Sequence, residues 1–294
     1  MKKNVETFLG CDASYDESQI VIFGAPFDST TSYRPGARFA SRTMRAESYG
    51  LETYSPYQNL DVTDFKIFDG GDLELCFGDT NLALADIENF ARKILADGKI
   101  PLMIGGEHLV TLGAFRAAAE KFPNLAVIHF DAHTDLRDDY LGAKLSHATV
   151  IRRVHEIAGD GKIFQFGIRS GDRPEFEFAK NHTRLQKFNF DGLEKVLAEV
   201  ADLPIYFTID LDVLDPAVFP GTGTPEAGGV SFLELLNAAL EVIRGSNVVA
   251  LDMVELSPPY DPSGISTATA LKLLREILLA LSVRRQGFVL ELRH

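Results

Sequence analysis

Asp131, His133 and Asp135 stand two residues apart at the end of an apolar run that begins at Leu125. Alternation along an extended chain would put these three strong metal ligands on one side, with Ala132 and Thr134 on the other. The same residues could instead form a capped turn in which each Asp accepts from backbone amides. A second acidic pair favours ligation. Asp210 and Asp212 follow the apolar run Ile205 to Ile209, share a face, and leave Leu211 and Val213 to packing. A third piece, Gly105-Gly106-Glu107-His108, comes directly after the apolar Pro101 to Ile104, where two glycines let the backbone turn sharply.

Together, His108, Asp131, His133, Asp135, Asp210 and Asp212 provide four carboxylates and two imidazoles. That is too many for one closed zinc site and suits two cations bridged by carboxylate and solvent. Carboxylate and imidazole donors without a thiolate favour Mn²⁺ or another oxygen-preferring divalent ion. A water held between two such ions loses a proton readily and becomes a nucleophile at neutral pH, so the set predicts metal-assisted hydrolysis at carbon or phosphorus.

Two further residues refine the chemistry. His147, in Leu145-Ser146-His147-Ala148-Thr149, could shuttle protons near neutral pH, although a lone histidine is more often structural. Glu255 ends the strand predicted over Val248 to Val254 and would be a costly buried carboxylate without a partner. A guanidinium or amine on a substrate would be such a partner, since a planar guanidinium binds a carboxylate through two hydrogen bonds. Asp252 has the strand parity of the opposite face.

The elements that must position these groups alternate. A first strand, Ile20 to Phe23, leads into a glycine-bearing loop through Gly36 and then a helix over Ala37 to Tyr49, whose Arg38, Arg42 and Arg45 read as a solvated or interface face. Ile67 and Phe68 begin a short strand ended by Asp69-Gly70-Gly71-Asp72, and Thr80 is the expected cap of a helix over Leu82 to Ala96. Strands are then predicted at 102–104, 125–130, 163–168, 205–209 and 248–254, with helices at 110–122, 149–157, 192–200, 232–243 and 266–281. Strand and helix in alternation imply a parallel sheet covered on both faces. Ligands gather beyond the carboxyl ends of such strands, where His108, the Asp131 group, the Asp210 pair and Glu255 all fall.

The 294 residues, 46% of them hydrophobic, can bury a sizeable core, and with no linker, repeat or low-complexity segment we expect one domain over 1–294. The formal charge of −13 argues against a nucleic-acid or anionic-membrane partner and favours a small cationic substrate. Met1 to Glu6 is not followed by an apolar segment of signal-peptide length, and no stretch approaches the roughly 18 apolar residues of a membrane span. A cytoplasmic protein is expected. Cys11 and Cys76 fit a reducing compartment, as ordinary packing residues.

The ordered motifs Gly-Gly-Glu-His at 105–108, Asp-Ala-His-Thr-Asp at 131–135, Asp-Leu-Asp-Val-Leu-Asp-Pro at 210–216, Pro-Gly-Thr-Gly-Thr-Pro at 220–225 and Asp-Met-Val-Glu at 252–255 resemble the ureohydrolase (arginase/agmatinase) family over about Ile20 to Val283. The resemblance implies a three-layer α/β/α arginase-like fold with a central, mainly parallel sheet. It also implies two Mn²⁺ ions, hydrolysis of a guanidino group to urea and an amine, and a homotrimer or homohexamer. By that resemblance His108, Asp131, His133, Asp135, Asp210 and Asp212 are the metal ligands. Asp135 also carries a proton from the bridging hydroxide to the leaving amine, His147 is the proton shuttle, and Glu255 orients the guanidinium. One departure is Ala148, where the family usually has glycine.

The 220–225 motif and the Pro258-Pro259-Tyr260-Asp261 tail resemble agmatinases more than arginases, which tend to carry alanine at the position of Gly221. The small polar residues with which arginases hold an amino-acid carboxylate are missing between Asp135 and His147. There Arg137 or Lys144 could bind a carboxylate, and Asp138 or Asp139 an ammonium. The resulting expectation is agmatine hydrolysis to putrescine and urea, in polyamine synthesis. The alternatives are a guanidinobutyrase, an arginase, a formiminoglutamase, or a non-catalytic metal-binding scaffold.

Overall fold

The structure, a computed structural model, describes residues 6–285. Met1 to Val5, which enter the expectation about the N-terminus, lie outside the described residues. The strands are β1 (Ile20–Ala25), β2 (Tyr54–Ser55), β3 (Leu60–Asp61), β4 (Ile67–Asp72), β5 (Ile100–Gly105), β6 (Ala126–Phe130), β7 (Ile163–Ile168), β8 (Arg184–Lys187), β9 (Pro204–Asp210) and β10 (Asn247–Val254). The helices are α1 (Ala40–Glu47), α2 (Thr80–Ala96), α3 (Thr111–Lys121), α4 (Val150–Ala158), α5 (Arg173–His182), α6 (Leu193–Glu199), α7 (Phe232–Gly245) and α8 (Ile265–Arg285). Apart from the β2–β3 hairpin, the strands form one sheet in the order β4-β1-β5-β10-β9-β6-β7-β8, and its pairings are parallel.

Both faces of the sheet are covered because its central strands are apolar in both parities. On β1, Ile20 and Ile22 pack into one core and Val21, Phe23 and Ala25 into the other; β9 divides Ile205, Phe207 and Ile209 from Tyr206 in the same way. The first core takes its helical side chains from α1, α6, α7 and α8, and the second from α2, α3, α4 and α5. The result is the expected three-layer α/β/α arrangement with a parallel central sheet. Its four central strands, β5, β10, β9 and β6, are those that end in His108, Glu255, the Asp210 pair and the Asp131 group.

Some expectations change. Helix α5 and edge strand β8 were not foreseen; β8 is a short strand, partly exposed, without a hydrophobic run to announce it. Strand β4 continues through Asp69-Gly70-Gly71-Asp72 instead of ending before it, because those residues still pair with β1. Asp79, not Thr80, caps α2, accepting from the amides of Asn81 and Leu82 at 2.8 and 3.2 Å. Of the three arginines read as a solvated face, only Arg42 is exposed. Arg38 pairs with buried Asp28. Arg45 is itself buried, clasps both oxygens of Asp69 at 2.9 and 3.0 Å, and pairs with Asp72.

A buried ion pair is costly to break from one side, because the remaining charge keeps its burial and loses its partner. Arg45→Met is therefore expected to lower unfolding stability by about 3–5 kcal/mol, measured by urea denaturation, whereas Arg42→Met at the exposed position should change little.

Candidate metal centre

The turn after β5 is set by contact. An added Cβ on Gly106 would fall 1.9 Å from the Phe27 carbonyl oxygen, so only glycine lets this loop pass. The Gly106 amide donates to Ala25 O at 2.9 Å, and Gly106 O accepts from the Glu255 amide at 3.0 Å, tying three strand ends together. Glu255 has φ of 65°, and its Oε1 accepts from the His108 amide at 2.8 Å. Beyond β6, the strand stops at Phe130 and the chain turns, with Asp135 at φ of 52°. Asp131, His133 and Asp135 thus converge through a turn and not by strand alternation. The capped-turn geometry is present as well: Asp131 Oδ1 accepts from the His133 amide at 2.6 Å, and Asp210 Oδ1 from the Asp212 amide at 2.9 Å. Capping uses Oδ1 of each and turns Oδ2 to the centre, and in Asp131 both oxygens also lie near an imidazole.

Those oxygens fall into two groups that share Asp131. His108 Nδ1 lies 3.1 Å from Asp131 Oδ2, 3.0 Å from Asp135 Oδ2 and 3.3 Å from Asp210 Oδ2. His133 Nδ1 lies 3.5 Å from Asp131 Oδ1 and 3.0 Å from Asp212 Oδ2. One carboxylate spanning two imidazole-bearing clusters is compatible with a pair of cations bridged by Asp131.

The protons on His108 test that fit. Thr208 spends its hydroxyl proton on Asp252 Oδ1 at 2.6 Å, so it must accept from His108 Nε2 at 3.0 Å. Asp252 is fixed in turn by the Tyr206 hydroxyl at 2.5 Å and is spoken for on its own face of β10. Nδ1 of His108 is buried and makes no aligned hydrogen bond. It faces three carboxylate oxygens. Burial opposes a second proton on the ring, but these carboxylates outweigh it and hold the His108 pKa well above the usual imidazole value; a divalent cation among them would take the place of that proton and use Nδ1 as a ligand. The carboxylates report the same crowding: burial and then the charges of Asp212 and Asp131 push Asp210 well above the usual range, and burial with Asp131 pushes Asp135 up to about 7.

His129, passed over in the sequence as part of the strand, supports Asp131 from behind. Gln165 donates to its Nδ1 at 3.1 Å, which leaves Nε2–H to donate to Asp131 Oδ2 at 2.7 Å. Its signal was a histidine inside an otherwise apolar run. Glu107, fully buried in the Gly-Gly-Glu-His motif, accepts from the Thr30 amide and the Thr30 and Thr31 hydroxyls, and burial pushes its pKa up to about 7. Thr30 in turn receives the His147 amide at Oγ1 (3.1 Å), and its carbonyl is 2.9 Å from His147 Nδ1. The carbonyl can only accept, so Nδ1 carries the proton and Nε2, near Ser32 Oγ at 3.2 Å, is left as a base.

These groups line a cavity of about 210 Å³ that includes His108, His133, Asp135, His147, Asp210 and Glu255. Of the loop charges, Arg137 reaches the cavity but is held by Asp172 at 3.0 Å and Glu175 at 3.5 Å. Lys144 is exposed, Asp138 pairs with Arg153, and Asp139 accepts from the Gly142 amide; none of the three lines the cavity. Its outer wall is instead Tyr140 and Asp172, contributed in part by the unforeseen segment around α5. The 220–225 loop is held by Arg34, which donates to the carbonyls of Thr222 (2.7 Å) and Gly223 (3.1 Å) beneath the Tyr260 ring. Gly221 is required by space, since its Cβ would lie 2.7 Å from that of Ser266. Among the described residues no helix is long and apolar enough to cross a membrane.

Comparison with known proteins gives a match to the model of the arginase family over residues 18–280. An agmatinase of Bacillus anthracis is 47% identical over 278 residues, covering 93% of this chain and 96% of that protein. A guanidinobutyrase of Pseudomonas aeruginosa is 34% identical over 292 residues, 92% of this chain and 88% of that protein. The crystal structure of the agmatine ureohydrolase of Thermoplasma volcanium superposes with a TM-score of 0.88 at 33% identity, covering 98% of each chain.

The hydroxyl between His108 and Asp252 sets the ring's tautomer, so Thr208→Val should weaken divalent-metal affinity about 10–100-fold, read by titration with Mn²⁺ while the fold is followed by circular dichroism. Burial, ahead of any charge, lowers the His147 pKa to about 4. An unfolded chain takes up that proton near the ordinary imidazole value, about 6.5, so this group opposes folding as pH falls below that value. In metal-free protein, an NMR titration resolved by histidine should show the His147 ring neutral throughout pH 5–7.

Proposed function

The chain belongs to the arginase family, and on that premise we propose that its cavity hydrolyses agmatine to urea and putrescine, a step of polyamine synthesis. The observation that carries the assignment is the buried Nδ1 of His108 facing three carboxylate oxygens, with Nε2–H already given to Thr208. We assign His108, Asp131, Asp135 and Asp210 to one cation and His133, Asp131 and Asp212 to the other, with manganese as the metal on the oxygen-rich donor set. Two bound Mn²⁺ ions would neutralise the four carboxylates and acidify a water for attack on the guanidinium carbon.

The chain's own groups do the rest. Glu255, buried and held at Oε1 by the His108 amide, keeps Oε2 for the guanidinium N–H groups, which fixes the planar carbon over the centre. Asp135, whose Oδ2 lies 3.0 Å from His108 Nδ1 at the centre, takes a proton from the attacking water and returns it to the departing amine nitrogen. His147 Nε2 exchanges protons at the cavity mouth next to Ser32. Tyr140 and Asp172 stand at the outer wall where the far ammonium of agmatine would lie, and the Arg137 guanidinium now occupies both, 4.5 Å over the ring and 3.0 Å from the carboxylate. A carboxylate-ended substrate such as guanidinobutyrate is the second reading, because Arg137 lines the same cavity; its two acidic partners leave that guanidinium little to offer. The walls come from positions 32 to 255, so one domain carries the whole reaction. We extend the family's trimeric or hexameric assembly and a cytoplasmic setting to this chain.

Urea release with agmatine, arginine and guanidinobutyrate compared side by side on Mn²⁺-loaded protein tests the substrate: agmatine should be turned over far faster than either carboxylated compound, and the reverse order would discard the assignment. Asp131→Asn should abolish both Mn²⁺ retention and turnover. Glu255→Gln keeps the acceptor for the His108 amide, so it should retain metal while kcat/KM for agmatine falls by roughly two orders of magnitude.

A further inference from the structure

Away from the cavity, the ends of α4 and α5 bring a second set of donors together. His155 in the last turn of α4, Asp160 in the loop that follows, and His182 at the end of α5 place one ligand atom each within 4.8 Å of one another. Asp160 Oδ1 lies 2.8 Å from His155 Nε2 and 2.7 Å from His182 Nδ1. The frame around them is built. Gly159 and Gly161 flank Asp160 with φ of 82° and 70°, and the Gly161 amide donates to His182 O at 3.1 Å, which ties the loop to the end of α5. The Gly159 amide closes on His155 O at 2.8 Å. Phe178 stacks on the His182 ring at 4.1 Å and meets the His155 ring edge-on at 5.0 Å, so both imidazoles are held in orientation by one aromatic.

We infer that His155, Asp160 and His182 form a separate mononuclear site for a borderline divalent cation of the zinc type, clamping the end of α4 to the end of α5. Two imidazoles and one carboxylate are a three-ligand set that leaves a position open to water. The site's chemistry differs from that of the cavity, where oxygens outnumber nitrogens. At present two N–H groups converge on a single carboxylate oxygen, and one cation can replace both protons. Donor atoms around a tetrahedral zinc stand about 3.3 Å apart, so the two Asp160 contacts have to open by only about half an ångström, on a loop where Asp160 is two-thirds exposed. The clamp bears on a helix that matters elsewhere. Glu175 on α5 accepts from the Thr134 hydroxyl and the Leu136 amide on either side of Asp135. Thr183, next to His182, donates to Gln165 Oε1 at 3.0 Å in the chain that ends on His129.

The test uses full-length protein first loaded with Mn²⁺, then dialysed against micromolar Zn²⁺ and analysed for both metals. Wild type is expected to gain one Zn²⁺ per chain while keeping its Mn²⁺, with a rise in melting temperature. Asp160→Asn retains an oxygen acceptor for the two imidazoles on an exposed loop and should fold normally, yet lose that equivalent and the melting-temperature rise. His155→Gln should lose the same equivalent. Equal Zn²⁺ uptake in wild type and both variants, or uptake matched by an equal release of Mn²⁺, would overturn the inference.

Discussion

Four carboxylates gathered at the carboxyl ends of adjacent strands cannot all stay ionised in a buried place without positive charge among them. The rest of the molecule around the cavity is arranged about that repulsion. Asp131 and Asp210 spend one oxygen each on a neighbouring amide and turn the other inward, and Asp212 Oδ1 receives the Ala132 amide at 3.1 Å. His108 gives its Nε2–H to a hydroxyl that is committed to Asp252 and so turns Nδ1 inward. The folded chain thus holds a binding energy for cations that packing alone does not release.

Holding that charge requires a scaffold that is stiff where the ligands leave it. Four neighbouring parallel strands, β5, β10, β9 and β6, deliver the donors from one edge, and close backbone contacts at Gly106 fix how β5 departs. Helices on both faces bury the strands, so the ligand-bearing turns rest on a core with little freedom to relax. The buried ion pair of Arg45 with Asp69 fastens α1 to the edge strand β4.

The cavity has a softer outer wall. The groups that touch the cavity mouth, Ser32, Tyr140, His147 and Asp172, come from loops and are held indirectly, His147 through Thr30 and Glu107, Asp172 through Glu175. Such a division, with the His and Asp cluster on strand ends and the cavity mouth on loops, leaves the mouth freer to vary than the cluster.

The residues that can ligate a metal, and the alternation of strand and helix that carries them, were written in the sequence. Ligand chemistry depends on residue type and on spacings of two, and periodicities of 2 and about 3.6 are local properties. The family motifs added the roles expected of His147 and Glu255. Tertiary structure decided what depends on distant partners. It buried Arg45 against Asp69, carried Asp138 and Asp139 out of the cavity, and brought Asp172 in as the cap of a helix that no hydrophobic run announced. It linked Glu107 to Thr30 across 77 positions, and it chose the tautomer of His108 through Thr208, 100 residues away. A side chain's spacing states what it can bind; only the packed sheet fixes which partners remain to be bound.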